Sequence, residues 1–170
     1  RGLVGSEMCI RDRINPTRMG FVNVLKRMGG CINIKAVPAS QKWESVGDIE
    51  VKTAALRGTQ VKKEEIPSLI DELPILMVCA CLAEGTTVIN NAGELRIKET
   101  DRIRSMIYNL SNMGAYIKAQ GNRIIIKGSR PLYGAKLKSF GDHRTAMSMI
   151  IAALSAEGGS VIDDVRCIDK

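Results

Sequence analysis

Apolar and polar positions alternate along this chain with two different periods. Phe21, Val22, Val24, Leu25 and Met28 recur at helical spacing within residues 17–28, and Gly29-Gly30 stops that helix. Residues 31–35 alternate with period two and predict a strand, and residues 46–52 predict another. Residues 67–83 read as one long, nearly all-apolar helix, followed by a strand over 86–90. Residues 100–113 predict an amphipathic helix with Ile103, Met106, Ile107 and Leu110 on one side and Gly114 at its end. Residues 115–119 and 123–127 predict a hairpin about Gly121-Asn122. An apolar helix over 142–156 and the start of a strand over 160–162 complete the pattern.

Two segments repeat. Leu25, Met28, Gly29 and Ile32 match Leu110, Met113, Gly114 and Ile117 at one constant offset. Ala83-Glu84-Gly85 and Val88-Ile89 match Ala156-Glu157-Gly158 and Val161-Ile162 at another. The chain thus alternates an amphipathic helix ending in Met-Gly with an apolar helix ending in Ala-Glu-Gly. A helix that is apolar all round must be buried on most sides. The expected fold is α/β, with about two copies of a helix–strand unit, the first incomplete, and helices inside and sheets outside.

Composition narrows the function classes. Hydrophobic residues make up 45% of 170 positions, which excludes a disordered chain. No apolar run reaches the roughly 18–20 residues that a membrane span needs. The net charge of +7 fits a nucleic acid, a membrane surface, small anionic substrates or a generally basic surface. No block of five or six basic residues occurs, and aromatics are only 4%, which argues against a nucleic-acid tail and against base stacking. The five cysteines form no CxxC pair, so neither a disulfide framework nor a zinc site is indicated, and a reducing compartment fits. Cys79 and Cys81 read as small core residues. Residues 1–13 show no clear period, and Gly5-Ser-Glu-Met-Cys-Ile-Arg-Asp-Arg13 resembles translated sequencing-adapter read-through. They are expected to lie outside the domain, which then runs over 14–170. The first residue is Arg1, and the chain reads as part of a longer protein.

Three charged clusters fall at predicted helix starts. They are Asp71-Glu72, the run Glu94-Leu-Arg-Ile-Lys98-Glu99-Thr-Asp101-Arg102, and Gly141-Asp142-His143-Arg144. Helix N-termini offer free N–H groups and a positive dipole end, so carboxylates are expected there as caps. Arginines are disfavoured there, and Arg102 and Arg144 require an explanation. One reading pairs each arginine with its neighbouring cap, Asp101 or Asp142. The other gathers several helix starts around a small, doubly anionic substrate, gripped in two-point fashion by guanidinium forks. Asp71 and Glu99, each taken alone, also fit a helix cap and a solvated first-turn glutamate. His143 is the single histidine, so a metal site is not indicated. No P-loop or GxGxxG occurs.

These clusters carry a family resemblance. Ile14-Asn-Pro-Thr-Arg18, Leu69-Ile-Asp-Glu-Leu-Pro74, Leu95-Arg-Ile-Lys-Glu-Thr-Asp-Arg102, Gly141-Asp-His-Arg144 and Cys167-Ile-Asp-Lys170 occur in order and spacing similar to those of the 5-enolpyruvylshikimate-3-phosphate synthases, the 3-phosphoshikimate 1-carboxyvinyltransferases. The resemblance runs from about Ile14 to Lys170. It implies an inside-out α/β prism of repeated βαβαββ units, an enolpyruvyl-transferase-like fold, with this chain forming part of the C-terminal domain. The N-terminal domain is then a missing partner.

The resemblance also implies a reaction. The enolpyruvyl group of phosphoenolpyruvate passes to the 5-hydroxyl of shikimate 3-phosphate and phosphate is released, without metal or other cofactor. By the same resemblance Asp71 holds the shikimate hydroxyls and accepts the 5-hydroxyl proton, while Glu99 donates a proton to C3. Lys98 matches a ligand of the shikimate phosphate. Arg102, Arg144 and Lys170 match the cationic set around phosphoenolpyruvate, and His143 has an orienting role. The implied whole enzyme is a cytoplasmic monomer that needs neither nucleic acid nor membrane. Half a cleft cannot bring two ligands together, so the 170-residue chain alone is expected to be inactive. The alternatives are another enolpyruvyl transferase of the same fold, such as one using UDP-N-acetylglucosamine, and a non-catalytic basic binding module.

Overall fold

The structure is a computed structural model that describes residues 7–15, 17, 19–37 and 46–169. Its first sheet contains β1 (Glu7–Arg13), β2 (Cys31–Val37) and β3 (Val46–Lys52), all antiparallel, in the order β1-β3-β2. Between β1 and β2 lies helix α1 (Gly20–Arg27). The second sheet contains β4 (Gln60–Val61), β5 (Thr86–Ile89), β6 (Tyr116–Gln120) and β7 (Arg123–Lys127), in the order β4-β5-β7-β6. Helix α2 (Leu73–Leu82) separates β4 from β5, and helix α3 (Arg102–Asn112) separates β5 from β6. A parallel pair, β8 (Lys136–Leu137) and β9 (Val161–Ile162), flanks helix α4 (His143–Leu154).

The repeat read from the sequence is present in the main chain. Arg57 N donates to Met28 O at 2.7 Å, and Tyr133 N donates to Met113 O at 2.9 Å. Gly58 N donates to Glu84 O, and Gly134 N donates to Glu157 O, in the same relation. The Met-Gly helix ends close with Gly29 at φ +97° and Gly114 at φ +87°, a left-handed conformation that suits glycine. Each Ala-Glu-Gly turn then feeds a parallel strand pair, β4 with β5 and β8 with β9.

Helix α2 behaves as an all-apolar helix should. Leu73, Leu76, Met77, Val78, Ala80 and Cys81 are buried, and the helix packs against α3, α4 and β7. Helix α4 departs from the expectation. It buries Thr145, Ala146, Ser148, Met149 and Ala152, but Met147, Ile150, Ile151 and Leu154 are exposed, Leu154 to 78%. It packs through one face onto α2 and α3, and the described residues leave the opposite face open.

The long helix predicted over 67–83 is divided. A 3-10 segment spans Lys63–Ser68, Leu69 breaks it at φ −144°, a second 3-10 turn spans Ile70–Glu72, and only then does α2 begin. Pro74 explains the division: it has no N–H for the Ile70 carbonyl, and its ring collides with that carbonyl in a continuous α-helix. Asp71 therefore sits in a tight turn ahead of the helix. The start of α1 closes onto the same region through Gly20, where a Cβ would lie 2.7 Å from the Ser68 carbonyl oxygen.

Residues 1–13 show no clear period, yet Glu7–Arg13 pair with β3 in unbroken register. Main-chain pairing does not need an alternating pattern, and Met8 and Ile10 remain exposed on this edge strand. Arg11 reinforces the pairing by donating from Nε to Asp48 Oδ1 at 2.7 Å, directly across the two strands.

Candidate active site

The starts of α3 and α4 meet the turn that precedes α2. Asp101 caps α3 by accepting from Arg104 N at 3.0 Å. Asp142 caps α4 by accepting from Arg144 N at 2.8 Å and Thr145 N at 2.9 Å through Oδ1. Carboxylates at these positions satisfy N–H groups that the helix itself cannot.

The arginines do not pair with their neighbouring caps. Consecutive helical residues project in different directions, so Arg102 cannot reach Asp101 as a helical partner. Asp101 instead accepts from Arg96 Nη1 at 3.2 Å. Arg102 turns inward, is 1% exposed, and donates from Nε to Asp142 Oδ2 at 2.7 Å. Its Nη2 donates to Glu99 Oε2 at 2.5 Å, and its Nη1 stands 3.5 Å from Asp71 Oδ1. Arg144 reaches the same turn: Nη1 donates to the Asp71 carbonyl at 2.9 Å, and Nη2 lies 3.3 Å from Asp71 Oδ2. Glu72 also flanks Arg144 Nη1, at 3.5 Å.

Four of the predicted residues therefore converge: Asp71, Glu99, Arg102 and Arg144. Asp71 and Glu99 lean on different nitrogens of one guanidinium, so Arg102 acts as the spacer between two carboxylates. Nη1 of Arg102 is buried and donates no hydrogen bond, an arrangement that costs free energy unless an acceptor arrives. Asp71 borders two hollows. One, of about 150 Å³, also meets Arg144, Met147 and Ser148; the other, of about 240 Å³, meets Thr17, Pro67 and Ser68. A roomier groove of about 820 Å³ lies along α3, between Arg104, Tyr108, Lys138 and Phe140, and holds none of the four.

The remaining predicted residues are not drawn into the cluster. Lys98 is exposed just ahead of α3 and pairs with no carboxylate among the described residues. His143 is half-buried as the first residue of α4, and its ring meets no hydrogen-bond partner among the described residues. Lys170 lies outside the described residues, as do Pro16 and Arg18 of the first motif. Among the described residues no group of three or more His, Cys, Asp or Glu is arranged to hold a metal ion.

Polar residues with no motif of their own brace the site. Asn109, buried on α3, donates to Lys138 O and accepts from Lys138 N, both at 2.8 Å. Ser105 and Thr145 hydroxyls meet at 3.2 Å between α3 and α4. The one available signal was the presence of polar residues on the inward sides of two helices. Such residues need partners when buried.

The repeated helix–strand units and the converging helix starts are consistent with an α/β enolpyruvyl-transferase-like fold. The EPSP synthase (3-phosphoshikimate 1-carboxyvinyltransferase) family model matches residues 5–170. The 3-phosphoshikimate 1-carboxyvinyltransferase of Geobacter sulfurreducens is 45% identical over 165 residues, covering 96% of this chain and 38% of the relative. That of Desulforamulus reducens is 46% identical over 167 residues, covering 98% of this chain and 39% of the relative. A solved EPSP synthase from Acinetobacter baumannii superposes with a TM-score of 0.90 at 34% identity, covering 97% of this chain and 39% of that one. The chain belongs to the EPSP synthase family. It spans under two-fifths of the length of these relatives.

Proposed function

We propose that this chain supplies one wall of an active site that transfers the enolpyruvyl group of phosphoenolpyruvate to the 5-hydroxyl of shikimate 3-phosphate. The observation that carries the proposal is the buried Arg102 guanidinium, whose Nη1 donates no hydrogen bond, sharing the Asp71 carboxylate with Arg144 and holding Glu99 on its other nitrogen. Phosphoenolpyruvate presents a carboxylate and a phosphate, the two groups that guanidinium forks grip best.

Two protons must move in this reaction. The 5-hydroxyl oxygen bonds to C2 of phosphoenolpyruvate as its proton leaves to Asp71, and C3 takes a proton from Glu99. In the tetrahedral adduct that results, C3 returns its proton to Glu99 as the C2=C3 double bond re-forms, and the C2–O bond to phosphate breaks as the departing phosphate takes the proton that Asp71 holds. Two carboxyl groups held apart suit opposite proton transfers. Arg102 and Arg144 stabilise the charge that gathers on the departing phosphate. Lys98, exposed ahead of α3, is free to meet the shikimate phosphate, and Lys170 joins the cations around phosphoenolpyruvate. His143 orients. No metal or other cofactor takes part. The five unpaired cysteines agree with a reducing, cytoplasmic setting.

The chain requires an N-terminal domain to close the cleft and is inactive without it, because joining two bound ligands is most of the catalytic task. We expect the complete enzyme to act as a monomer. The test is phosphate release from phosphoenolpyruvate by this chain joined to the N-terminal part of the Geobacter relative. Release that requires shikimate 3-phosphate, and collapses in Glu99→Gln and Arg102→Ala, is the expected result. A folded fusion that releases no phosphate refutes the assignment.

A further inference from the structure

We propose that Asp142 is the positioning residue of this anion site, using one buried carboxylate to set both arginines. The identity of the anion rests on the enolpyruvyl-transfer reading; the orienting role does not. Asp142 is 0% exposed, and each of its oxygens has a separate task. Oδ1 accepts from the main-chain N–H groups of Arg144 and Thr145, which fixes the first turn of α4 and hence where the Arg144 side chain departs. Oδ2 accepts from Nε of Arg102, 40 positions earlier in the chain.

The second contact is what a plain helix cap does not need. Capping uses one oxygen. The other, in the same dry surroundings, takes the one guanidinium nitrogen that carries a single hydrogen. Anchoring Nε leaves Nη1 and Nη2 to present toward Asp71 and Glu99. A planar guanidinium held at Nε loses its freedom to rotate, so its outer nitrogens are aligned before any ligand binds. The site is thus assembled from α3 and α4 through one fully buried side chain.

Other contacts also hold these elements together. Ser105 meets Thr145, and Asn109 clamps the main chain of Lys138 at the end of β8. The two tasks can therefore be separated by substitution. In Asp142→Asn the amide oxygen can still cap α4, but the amide nitrogen cannot accept from Arg102. Asp142→Ser keeps a capping hydroxyl and withdraws the second acceptor altogether.

The experiment uses the whole 170-residue chain with isotopically labelled arginine. It compares solvent exchange of the Arg102 Nε proton in the parent, Asp142→Asn, Asp142→Ser and Asp101→Asn. The Arg102 signal is assigned by its loss in Arg102→Lys. Asp101→Asn is the control, because Asp101 caps α3 without touching the Arg102 guanidinium. Thermal melting establishes that each variant is folded. The expected result is slow exchange in the parent and in Asp101→Asn, with exchange faster by about tenfold or more in both Asp142 variants, the effect of one hydrogen bond between charged groups. Titration with phosphoenolpyruvate should show a similar loss of affinity at Arg102 and Arg144 in those variants.

Exchange as slow in the folded Asp142 variants as in the parent overturns the proposal. So does faster exchange with undiminished phosphoenolpyruvate affinity. If the parent's arginine signals ignore phosphoenolpyruvate in this one wall of the cleft, the joined enzyme decides the substrate reading, and the exchange comparison decides the role of Asp142 by itself.

Discussion

Arg144 donates to the main-chain carbonyl of Asp71 at 2.9 Å, across 73 positions of sequence. A second nitrogen of the same guanidinium stands 3.3 Å from the Asp71 carboxylate. One side chain on α4 thus fixes both the backbone and the acid of a turn that no regular helix supports. Arg144→Ala is expected to lower stability by about 1 kcal/mol, the value for a charge-assisted contact that is only partly buried. Arg144→Lys keeps the charge but cannot make both contacts at once, so it should recover little of that loss. Urea unfolding of parent and variants measures this. A lysine variant as stable as the parent would show that charge alone holds the turn.

Glu99 occupies a place that a bound anion needs. Its carboxylate lies 2.5 Å from Arg102 Nη2, yet its side chain is half exposed and can swing into solvent. The contact is a competitor for any carboxylate or phosphate approaching the fork. Glu99→Gln is expected to tighten binding of inorganic phosphate to the chain by roughly 2–5-fold, equivalent to about 0.5–1 kcal/mol for a partly exposed ion pair. In the joined enzyme the same variant lowers turnover, because glutamine has no proton to give. Isothermal calorimetry on the chain separates the two effects. Unchanged or weaker phosphate binding would rule out competition.

Legibility from the sequence followed the range of the interactions. Helices and the hairpin were legible because apolar spacing is local, and the repeat was legible because Met-Gly and Ala-Glu-Gly turns recur. The break before α2 was hidden by an unbroken apolar run, although Pro74 carried the information. Strand β1 was hidden because its pairing with β3 is main-chain and Met8, Cys9, Ile10 and Arg11 are exposed. At the site, the motifs named Asp71, Glu99, Arg102 and Arg144. The partnership of Arg102 with Asp142 joins two helix starts that only the tertiary fold brings together.

Glu65 ties α1 to the segment that leads into Asp71. It accepts from Arg27 at 2.7 and 3.1 Å and from Lys62 N at 2.9 Å. The Arg27 guanidinium, first of all, holds the Glu65 carboxyl below its ordinary value of 4.5. A carboxylate whose folded pKa is depressed adds stability above its unfolded pKa, and that stability disappears as pH falls through the folded value. The melting temperature of the parent should therefore exceed that of Glu65→Gln above about pH 5, and the gap should narrow as pH falls below the ordinary carboxylate value. Melts recorded from pH 7 to pH 3 test this. A gap that persists unchanged in acid would mean the contribution is not ionic.

The cysteines divide by environment, and their reactivity should follow. Cys9 and Cys31 are exposed, whereas on α2 Cys81 is buried and Cys79 is partly buried. Burial pushes the Cys79 thiol up to about 11 and the Cys81 thiol up to about 12. The thiolate is the reactive form, so at pH 8 both α2 thiols are nearly all protonated, and Cys81 is shielded as well. Maleimide labelling of the native chain should modify Cys9 and Cys31 within minutes, while Cys79 and Cys81 react only as fast as the helix opens. In urea all should react together. Mass spectrometry of tryptic peptides reads the order of modification. Because α2 also carries the packing that holds the Asp71 turn, Arg144→Ala should speed labelling at Cys79 and Cys81 without changing the rates at Cys9 and Cys31. Acceleration at all four sites alike would instead mean that the substitution loosens the whole chain rather than the turn and its helix.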